Sequence, residues 1–211
     1  MKCHEFDEKN IIIKTPILLG KYYVYDVKYL YPSEKINNLV VESNWVKCSN
    51  LSKMIQSSNS IAYVLNIRPK NSMLSSVLDK INNELVLKKE SLITSIVENA
   101  NIDSWKNILR MIKKYNETKN EYYNYYTFVI SNRSVIKIDG VNISLNNLLM
   151  KNITKCYIKL FFRTEICFNK DSIKNEYKYI ISHIIHRIKI KTDVNKNINP
   201  DNQNIQFVVE I

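Results

Sequence analysis

The residues best suited to binding chemistry lie in one segment, residues 156–168, which reads CYIKLFFRTEICF. Its odd positions alternate aromatic and basic side chains: Tyr157, Lys159, Phe161 and Arg163. Because a strand points successive side chains to opposite faces, one face would be apolar and the other would present ring, cation, ring, cation. Cations neutralise phosphates, and each stacked ring contributes about 1–3 kcal/mol per base. The pattern predicts contact with single-stranded nucleic acid; a second buried face, or one covered by a partner, is the alternative.

Aromatic and basic residues elsewhere extend this prediction. Trp45 and Lys47 share a face of a predicted strand, and Tyr29 lies in the aromatic segment 21–31. We expect these rings to stack on bases, although tyrosine also suits a half-buried strand surface. Basic residues beside strand ends are expected to contact phosphates, with a solvated strand end as the alternative. The complete candidate nucleic-acid site is Tyr29, Trp45, Lys47, Arg68, Lys70, Arg133, Tyr157, Lys159, Phe161 and Arg163.

Glycine usage excludes most motifs of nucleotide-handling enzymes. The chain has only 2 glycines, Gly20 and Gly140, so it contains no Walker-type phosphate loop, Rossmann fingerprint or serine nucleophile elbow. Residues 26–28 (DVK) and 176–178 (EYK) have the acid-x-lysine spacing with which metal-dependent nucleases hold magnesium and orient water. Such triplets arise readily in a lysine-rich chain. We therefore predict that the protein is not an enzyme and keep a metal-dependent nuclease as a weaker alternative.

The histidines and cysteines do not form a recognisable metal motif. His183 and His186 are three residues apart, but Cys156 and Cys167 are widely separated and no CxxC pair occurs. Zinc sites usually combine closely paired ligands, so we predict no metal and no cofactor. We expect both histidines to be exposed on a basic segment. The four scattered cysteines favour reduced thiols in a cytoplasmic protein.

The basic charge is concentrated in the second half of the chain. The net charge of +11 comes from 31 lysines and arginines against 20 carboxylates. Seventeen basic and six acidic residues lie between positions 104 and 191, so this span accounts for the whole excess. Lysine and asparagine have A- and T-rich codons, so genome composition explains part of their abundance. The position of the charge is therefore more informative than its total.

Hydrophobic periodicity orders the elements that must position these residues. Alternation and β-branched or aromatic content predict strands at 21–31, 39–48, 61–68, 122–130, 135–138 and 156–168. Spacing of 3.6 residues predicts helices at 72–85, 92–97, 103–112 and 177–188. Residues 183–191 also alternate as a strand would, and we favour the helix. Asp139 and Gly140 form a turn signal.

The length of the chain and its apolar runs bound the domain organisation. With 211 residues and 45% hydrophobic content, the chain can form one domain with a substantial core. No apolar run approaches the roughly 18 residues needed to span a bilayer, and the charged segment MKCHEFDEKN does not read as a signal peptide. We therefore expect no membrane partner.

Two segments together carry a resemblance to a known family. Residues 60–85, SIAYVLNIRPKNSMLSSVLDKINNEL, read as a strand, a basic loop and an apolar helix, and CYIKLFFRTEICF follows much later. Over residues 38–190 this order resembles the replicative single-stranded DNA-binding proteins of poxviruses, related large DNA viruses and cytoplasmic linear plasmids. The resemblance implies an oligonucleotide-binding barrel with added helices, cooperative coating of single strands and a role in replication. The weakly charged end, 192–211, departs from the acidic tail that such proteins often have.

These observations combine into one prediction. We expect an α+β protein, an OB-like antiparallel, partly closed β-barrel of about five or six strands over residues 1–191. A helical insertion at about 71–116 and a helix near 172–189 would cover it, and 192–211 would be a polar linker with a short apolar end. The function would be non-catalytic, sequence-tolerant binding of single-stranded DNA, or of RNA, with replication proteins and further copies of the chain as partners. A non-catalytic accessory subunit of a replication or transcription complex is the alternative.

Overall fold

The fold is taken from a computed structural model that describes most of the chain. The described residues are 1–20, 22–50, 63–67, 73–96, 105–109, 111–116, 120–151, 153–171, 176–192 and 206–207. The predicted site residues Arg68 and Lys70 lie outside these ranges.

The described part of the chain is dominated by strands. They are β1 (Ile11–Ile13), β2 (Ile17–Leu19), β3 (Tyr22–Leu30), β4 (Ile36–Asn38), β5 (Val40–Glu42), β6 (Val46–Asn50), β7 (Tyr63–Ile67), β8 (Trp105–Leu109), β9 (Met111–Asn116), β10 (Glu121–Ile138), β11 (Val141–Ile143), β12 (Thr154–Asp171), β13 (Glu176–Thr192) and β14 (Gln206–Phe207). The helices are α1 (Met73–Leu87), α2 (Lys89–Thr94) and α3 (Leu145–Met150), preceded by single 3₁₀ turns at Cys3–Glu5 and Glu8–Asn10. None of these helices has the length and apolar content needed to cross a membrane.

Two long antiparallel strands form the centre of the sheet. β12 pairs with β13 along almost its whole length, from Cys156 opposite Thr192 to Asp171 opposite Glu176. The other edge of β12 pairs with β6, β5 and β3 in turn. The other edge of β13 pairs with β8 and β10, and both run parallel to it. The sheet is therefore mixed, where an antiparallel one was predicted.

Closure of the sheet into a barrel is not seen in the described residues. The strand order follows an open path, β1-β3-β12-β13-β10-β11, with the remaining strands attached to members of that path. The fold class, a sheet-dominated α+β protein with few helices, agrees with the prediction at this level. The partly closed OB-like barrel stays a prediction.

Two predicted helices are wrong. The segment 177–188 belongs to strand β13, and residues 105–109 and 111–116 form strands β8 and β9. Of the predicted helical insertion at 71–116, α1 and α2 are helical, so the insertion is shorter than expected. In residues 177–188 the apolar residues fit a helical period as well as part of a strand, and pairing with β12 decides for the strand. Residues 105–109 and 111–116 are strands through their pairing with β13 and β10.

The predicted apolar face of residues 156–168 is confirmed. Its even positions are at most 2% exposed: Cys156, Ile158, Leu160, Phe162, Thr164, Ile166 and Phe168. Helix α1 packs on the same side, burying Leu78, Ile81 and Leu85 completely. Burial of such apolar side chains is worth about 1.5–3 kcal/mol each and dominates the stability of the fold.

Tyrosine hydroxyls attach the helices to the sheet. Tyr179 Oη donates to the carbonyl of Leu85 at 2.6 Å, and Tyr25 Oη donates to the carbonyl of Leu92 at 3.1 Å. Tyr126 donates to the carboxylate of Asp79 on α1. Burial raises the pKa values of Tyr25 and Tyr179, so both hydroxyls remain protonated donors.

His183 lies in the core, so the expectation that both histidines are exposed is wrong for this residue. It is 1% exposed and its Nδ1 lies 3.0 Å from Oγ1 of Thr164, the residue directly opposite on β12. The rings of Phe128 and Phe162 lie 5.8 and 5.7 Å from its own ring. Burial lowers the pKa of His183 to about 3, so the imidazole is neutral. His186 is exposed, as predicted.

The turn between β10 and β11 is confirmed. Asp139 and Gly140 have φ values of 47° and 88°, and the strands they join pair from Ile138 opposite Val141. Two positive φ values suit the right-handed twist of a two-residue hairpin, and Asp-Gly adopts them readily. This turn fixes the C-terminal end of β10, where Lys137 lies opposite Lys189 of β13.

Candidate nucleic-acid interface

The odd positions of β12 lie on the face of the sheet opposite the core, which we call the outer face. Residues directly opposite each other on two antiparallel strands share a face. The strand register therefore adds three basic residues of β13 to the predicted side chains of β12. The opposed pairs are Tyr157 with Lys191, Lys159 with Lys189, and Phe161 with Arg187, and all six are half-buried.

Three lysines form a row across three neighbouring strands of this face. Lys189 of β13 is opposite Lys159 of β12 on one side and Lys137 of β10 on the other. Like charges placed directly opposite each other destabilise a sheet. An anion bound at Lys137 and Lys189 would relieve the repulsion between them, so these two lysines form a candidate phosphate site.

A β-bulge sets which side chains of β13 face outward. Phe161 pairs with Arg187 and Phe162 pairs with Ile185, so His186 is an extra residue in β13. In such a bulge two residues oppose one, and the alternation beyond it shifts by one position. Ile185 and Ile188 are both buried while His186 is exposed, which leaves Arg187 on the outer face.

The same irregularity brings Arg133 to the level of this bulge. The register between β10 and β13 also shifts here, from Ile130 opposite Ile185 to Val135 opposite Arg187. Residues 131–134 lie between the two registers, and Arg133 is exposed among them. The structure therefore places Arg133 at the level of Arg187, in the irregular part of β10.

Cations of β13 lie over two of the predicted stacking rings. The guanidinium carbon of Arg187 and Nζ of Lys189 are 5.4 and 5.3 Å from the ring centre of Phe161. Nζ of Lys191 is 4.8 Å from the ring centre of Trp45. Cation–π attraction at these distances holds the basic side chains beside the rings. Rings and cations thus form one continuous surface.

The two predicted cations of β12 are held by carboxylates. Lys159 forms an ion pair with Glu42 of β5, and Arg163 Nη2 lies 2.6 Å from Oε1 of Glu165. Burial is the largest influence on Glu165 and raises its pKa; Asp26, directly opposite on β3, also raises it, and Arg163 opposes both. These carboxylates all lie on the β12 strand or on the β3 and β5 side of it.

The cations on the other side of the outer face are not paired with carboxylates. Within the described ranges no ion pair involves Lys137, Arg187, Lys189 or Lys191. Among the described residues, positive charge is therefore neutralised at Lys159 and Arg163 of β12 and left uncompensated at the four cations of β13 and β10 named above. A ligand with a line of negative charges would be attracted to the second of these regions.

The structure brings together most of the predicted site residues that it describes. Trp45, Tyr157, Lys159, Phe161 and Arg163 all belong to the outer face. Lys47 is opposite Tyr157 in the β6–β12 register, although its side chain is not described.

Tyr29 does not belong to this interface. It is 1% exposed, and its hydroxyl accepts a 3.0 Å hydrogen bond from the backbone N–H of Asp7. Its ring packs against Phe6 and Tyr31, with ring centres 5.9 and 5.1 Å apart. A ring enclosed in this way has no free face for a base, so its proposed stacking role is corrected to a core role.

The prediction missed the four unpaired cations, Lys137, Arg187, Lys189 and Lys191. The signal that could have identified those of β13 is present in residues 187–191, RIKIK, where basic and apolar residues alternate. Assignment of residues 177–188 to a helix separated Arg187 from Lys189 and Lys191 and concealed their alignment with Lys159. Lys137 could be placed only once its partner strand was known.

The possible metal ligands and the two acid-x-lysine triplets are placed in part by the described residues. Within them no group of three or more histidine, cysteine, aspartate or glutamate side chains could hold a metal ion. Lys28 of the DVK triplet lies 3.7 Å from Asp26 and contacts the side-chain oxygen of Asn38, so both charges of the triplet are engaged with each other. The side chain of Glu176 in the EYK triplet lies outside the description.

Comparison with known proteins gives matches of structure only. No family model matches the chain, and no curated protein matches its sequence. Gp2.5, a single-stranded DNA-binding protein encoded by bacteriophage T7, is 8% identical with a TM-score of 0.47, covering 75% of this chain and 96% of that one. The single-stranded DNA-binding protein from bacteriophage Enc34, in complex with single-stranded DNA, is 14% identical with a TM-score of 0.41, covering 86% and 96%. At these values we base the functional proposal on the outer face itself.

Proposed function

We propose that this protein binds single-stranded DNA through the outer face, with little sequence preference and without catalysis. The observation that carries the proposal is the opposed pair Lys137 and Lys189, which no carboxylate among the described residues neutralises, set beside the rings of Phe161, Tyr157 and Trp45. Opposed cations that repel one another are costly without an anionic ligand. Rings interleaved with them are suited to bases that are not already paired and stacked.

The chemistry of the face favours a single strand over a duplex. In a duplex the bases stack on each other and their faces are not available to protein rings. Every base has a π-face, so stacking tolerates any sequence. Lysine and arginine contacts to phosphates also carry no sequence information. Discrimination would therefore come from the accessibility of the bases.

Fluorescence anisotropy with labelled single-stranded and duplex oligonucleotides tests this proposal. We expect tighter binding to the single strand, with affinity that falls as salt rises by about 0.7 logarithmic units per phosphate contact for each tenfold change in salt. The probe should stay intact when magnesium is added. Equal binding to both forms, no binding, or magnesium-dependent cleavage of the probe would contradict it.

A charge-matched pair of variants locates the binding on the outer face. Lys189→Gln removes the central lysine of the row. One phosphate contact strengthens binding about fivefold when salt is lowered from 1 M to 0.1 M, and the variant should lose this gain. Lys80→Gln makes the same change of charge on α1, where Lys80 is 3.1 Å from Glu8. We expect only the first variant to bind more weakly; equal effects would show that net charge alone drives binding.

We further propose that the protein coats single strands during replication of a viral or plasmid genome. Sequence-tolerant binding suits a protein that must cover any exposed strand, and the composition fits an AT-rich genome. Other replication proteins and neighbouring copies of this chain would be its partners. Titration of long and short oligonucleotides checks the coating role, because cooperative contacts between copies make the affinity per site higher on the long one. Equal affinity per site would exclude cooperative coating.

One observation favours the accessory-subunit alternative. The residues of β2, Ile17, Leu18 and Leu19, are 57–60% exposed, although all three are large and apolar. Contiguous exposed apolar surface often marks contact with another protein. If the purified chain bound no oligonucleotide, a protein-docking role for this molecule would become the better proposal.

A further inference from the structure

The outer face has two halves that differ in how their cations are occupied. On β12, Lys159 and Arg163 are each held by a carboxylate, Glu42 and Glu165 respectively. On β13, the charged groups of Arg187, Lys189 and Lys191 lie over rings, and no carboxylate of the described residues pairs with them. A phosphate would have to displace a carboxylate on the first half and only a ring contact on the second.

The unpaired cations of β13 form a regular line, which we call the β13 strip: Arg187, Lys189 and Lys191. Alternate residues of a strand are about 6.7 Å apart, a separation comparable to that of successive phosphates in an extended single strand. Each end of the strip lies opposite a ring of β12, since Arg187 faces Phe161 and Lys191 faces Tyr157. Phosphates along β13 would therefore leave bases within reach of the rings.

Resting on the proposed function, we propose that Glu42 and Glu165 act as an acidic border that confines the phosphates to the β13 strip. The nucleic-acid backbone then runs along β13, and its bases lie over the rings of β12. The border holds Lys159 and Arg163 in ion pairs and repels phosphates from the β3 and β5 side. Asp26, directly opposite Glu165, adds to this repulsion.

The acidic border limits the affinity for single-stranded DNA as well as the position of its phosphates. Removing the charge of Glu42 leaves Lys159 without its carboxylate, and removing that of Glu165 does the same for Arg163. Either cation then becomes available for one more phosphate contact. One added contact on a single strand steepens the salt slope by about 0.7 and tightens binding about fivefold at 0.1 M salt relative to 1 M.

Five variants of the full chain test this proposal by anisotropy with a labelled single-stranded oligonucleotide across a salt series. Glu42→Gln and Glu165→Gln are expected to bind about fivefold more tightly, with steeper salt slopes. Glu84→Gln is the matched control, because Glu84 also forms an ion pair, 2.7 Å from Lys88, but on helix α1. Arg163→Gln should lower the slope less than Lys189→Gln, because Arg163 is already neutralised. Circular dichroism confirms that each variant is folded.

The outcomes separate this proposal from the one on which it rests. If the native chain prefers single-stranded DNA and Lys189→Gln weakens binding, the proposed function stands. If Glu42→Gln and Glu165→Gln then bind no more tightly than Glu84→Gln, the acidic border is wrong while the function remains. If Arg163→Gln and Lys189→Gln have equal effects, the confinement to β13 is also wrong. A native chain that binds no oligonucleotide overturns both proposals.

Discussion

The two faces of the β12–β13 pair differ in the charge of their side chains, although these side chains alternate along the same strands. On the buried face, His183 and Thr164 share one hydrogen bond among aromatic rings, and burial lowers the pKa of the histidine to about 3. On the outer face, Lys159 and Lys189 are directly opposite each other. The buried face excludes charge and the outer face concentrates it.

This difference separates stability from binding at the level of single neighbouring residues. Packed apolar side chains on the core side stabilise the sheet. Opposed lysines on the outer side cost it up to about 1 kcal/mol per pair, which an anionic ligand can offset. Substitutions on the two faces should therefore affect different measurements, and the following predictions test that separation.

The largest expected effect is on stability, at Phe162. This side chain is fully buried, with its ring centre 5.1 Å from that of Phe128, so Phe162→Ala should lower the free energy of unfolding by about 3–5 kcal/mol. The neighbouring change Phe161→Ala, on the outer face, should lower it by only about 1 kcal/mol. Urea unfolding followed by circular dichroism measures both. Similar losses would show that the two faces are equally part of the core.

The next effect is a dependence of stability on pH that originates at His183. Its pKa is depressed in the folded state to about 3, so its contribution is fully present above its usual pKa of about 6.5 and is lost as pH falls from there towards 3. Protonation of the unfolded chain should cost about 3 kcal/mol of stability between pH 7 and pH 4. His183→Gln lacks this titration, so its unfolding free energy should change less over the same range. Parallel pH curves for the two proteins would exclude the histidine as the cause.

The third effect is on binding, at Phe161. Loss of a stacking ring in Phe161→Ala should weaken single-stranded DNA binding by about 1–3 kcal/mol, with an unchanged salt slope, because no phosphate contact is removed. Tyr29→Leu is the control: it removes the aromatic ring but keeps an apolar side chain in the core, so the folded variant should keep its affinity. Anisotropy measures both variants. Weaker binding by folded Tyr29→Leu would restore Tyr29 to the interface.

The smallest effect is expected at the exposed strand β2. Ile17 and Leu19 are 60% and 57% exposed, so replacing both with serine should change stability by less than about 0.5 kcal/mol per residue. DNA affinity should also stay constant, since β2 pairs with β3, on the far side of the acidic border from the β13 strip. A loss of affinity on long but not short oligonucleotides would instead assign β2 to contacts between copies of the chain.

Much of the candidate site could be predicted because one strand has a plain period of two. Residues 156–168 alternate without interruption, so both faces of β12 could be read from the sequence. Strand β13 was misread because the bulge at His186 breaks its alternation. Its buried positions step by two up to Ile185 and then by three to Ile188, which resembles the spacing of a helix. Ile180 and Ile184 face outward, but their spacing added to the apparent apolar face of a helix over residues 177–188.

The pairing of strands distant in the chain could not be predicted at all. β8 and β10 both run parallel to β13, and no local pattern in residues 105–138 specifies that partner. The burial of Tyr29 depends in the same way on contact with Asp7 and Phe6 from the beginning of the chain. Residue type gives the preference for a strand surface, whereas the fold decides which surface is covered.

The bulge at His186 also indicates where this chain can change in length during evolution. Deleting that one residue would leave Ile185 opposite Phe162 and Arg187 opposite Phe161, so the later side chains of β13 would keep their faces. Deleting a residue beyond the bulge, between Arg187 and Lys191, would instead turn every later side chain to the other face. Basic side chains would then point into the core and isoleucines towards solvent. We therefore expect relatives of this chain to differ in length at the bulge and not in the regular part of β13 that follows it.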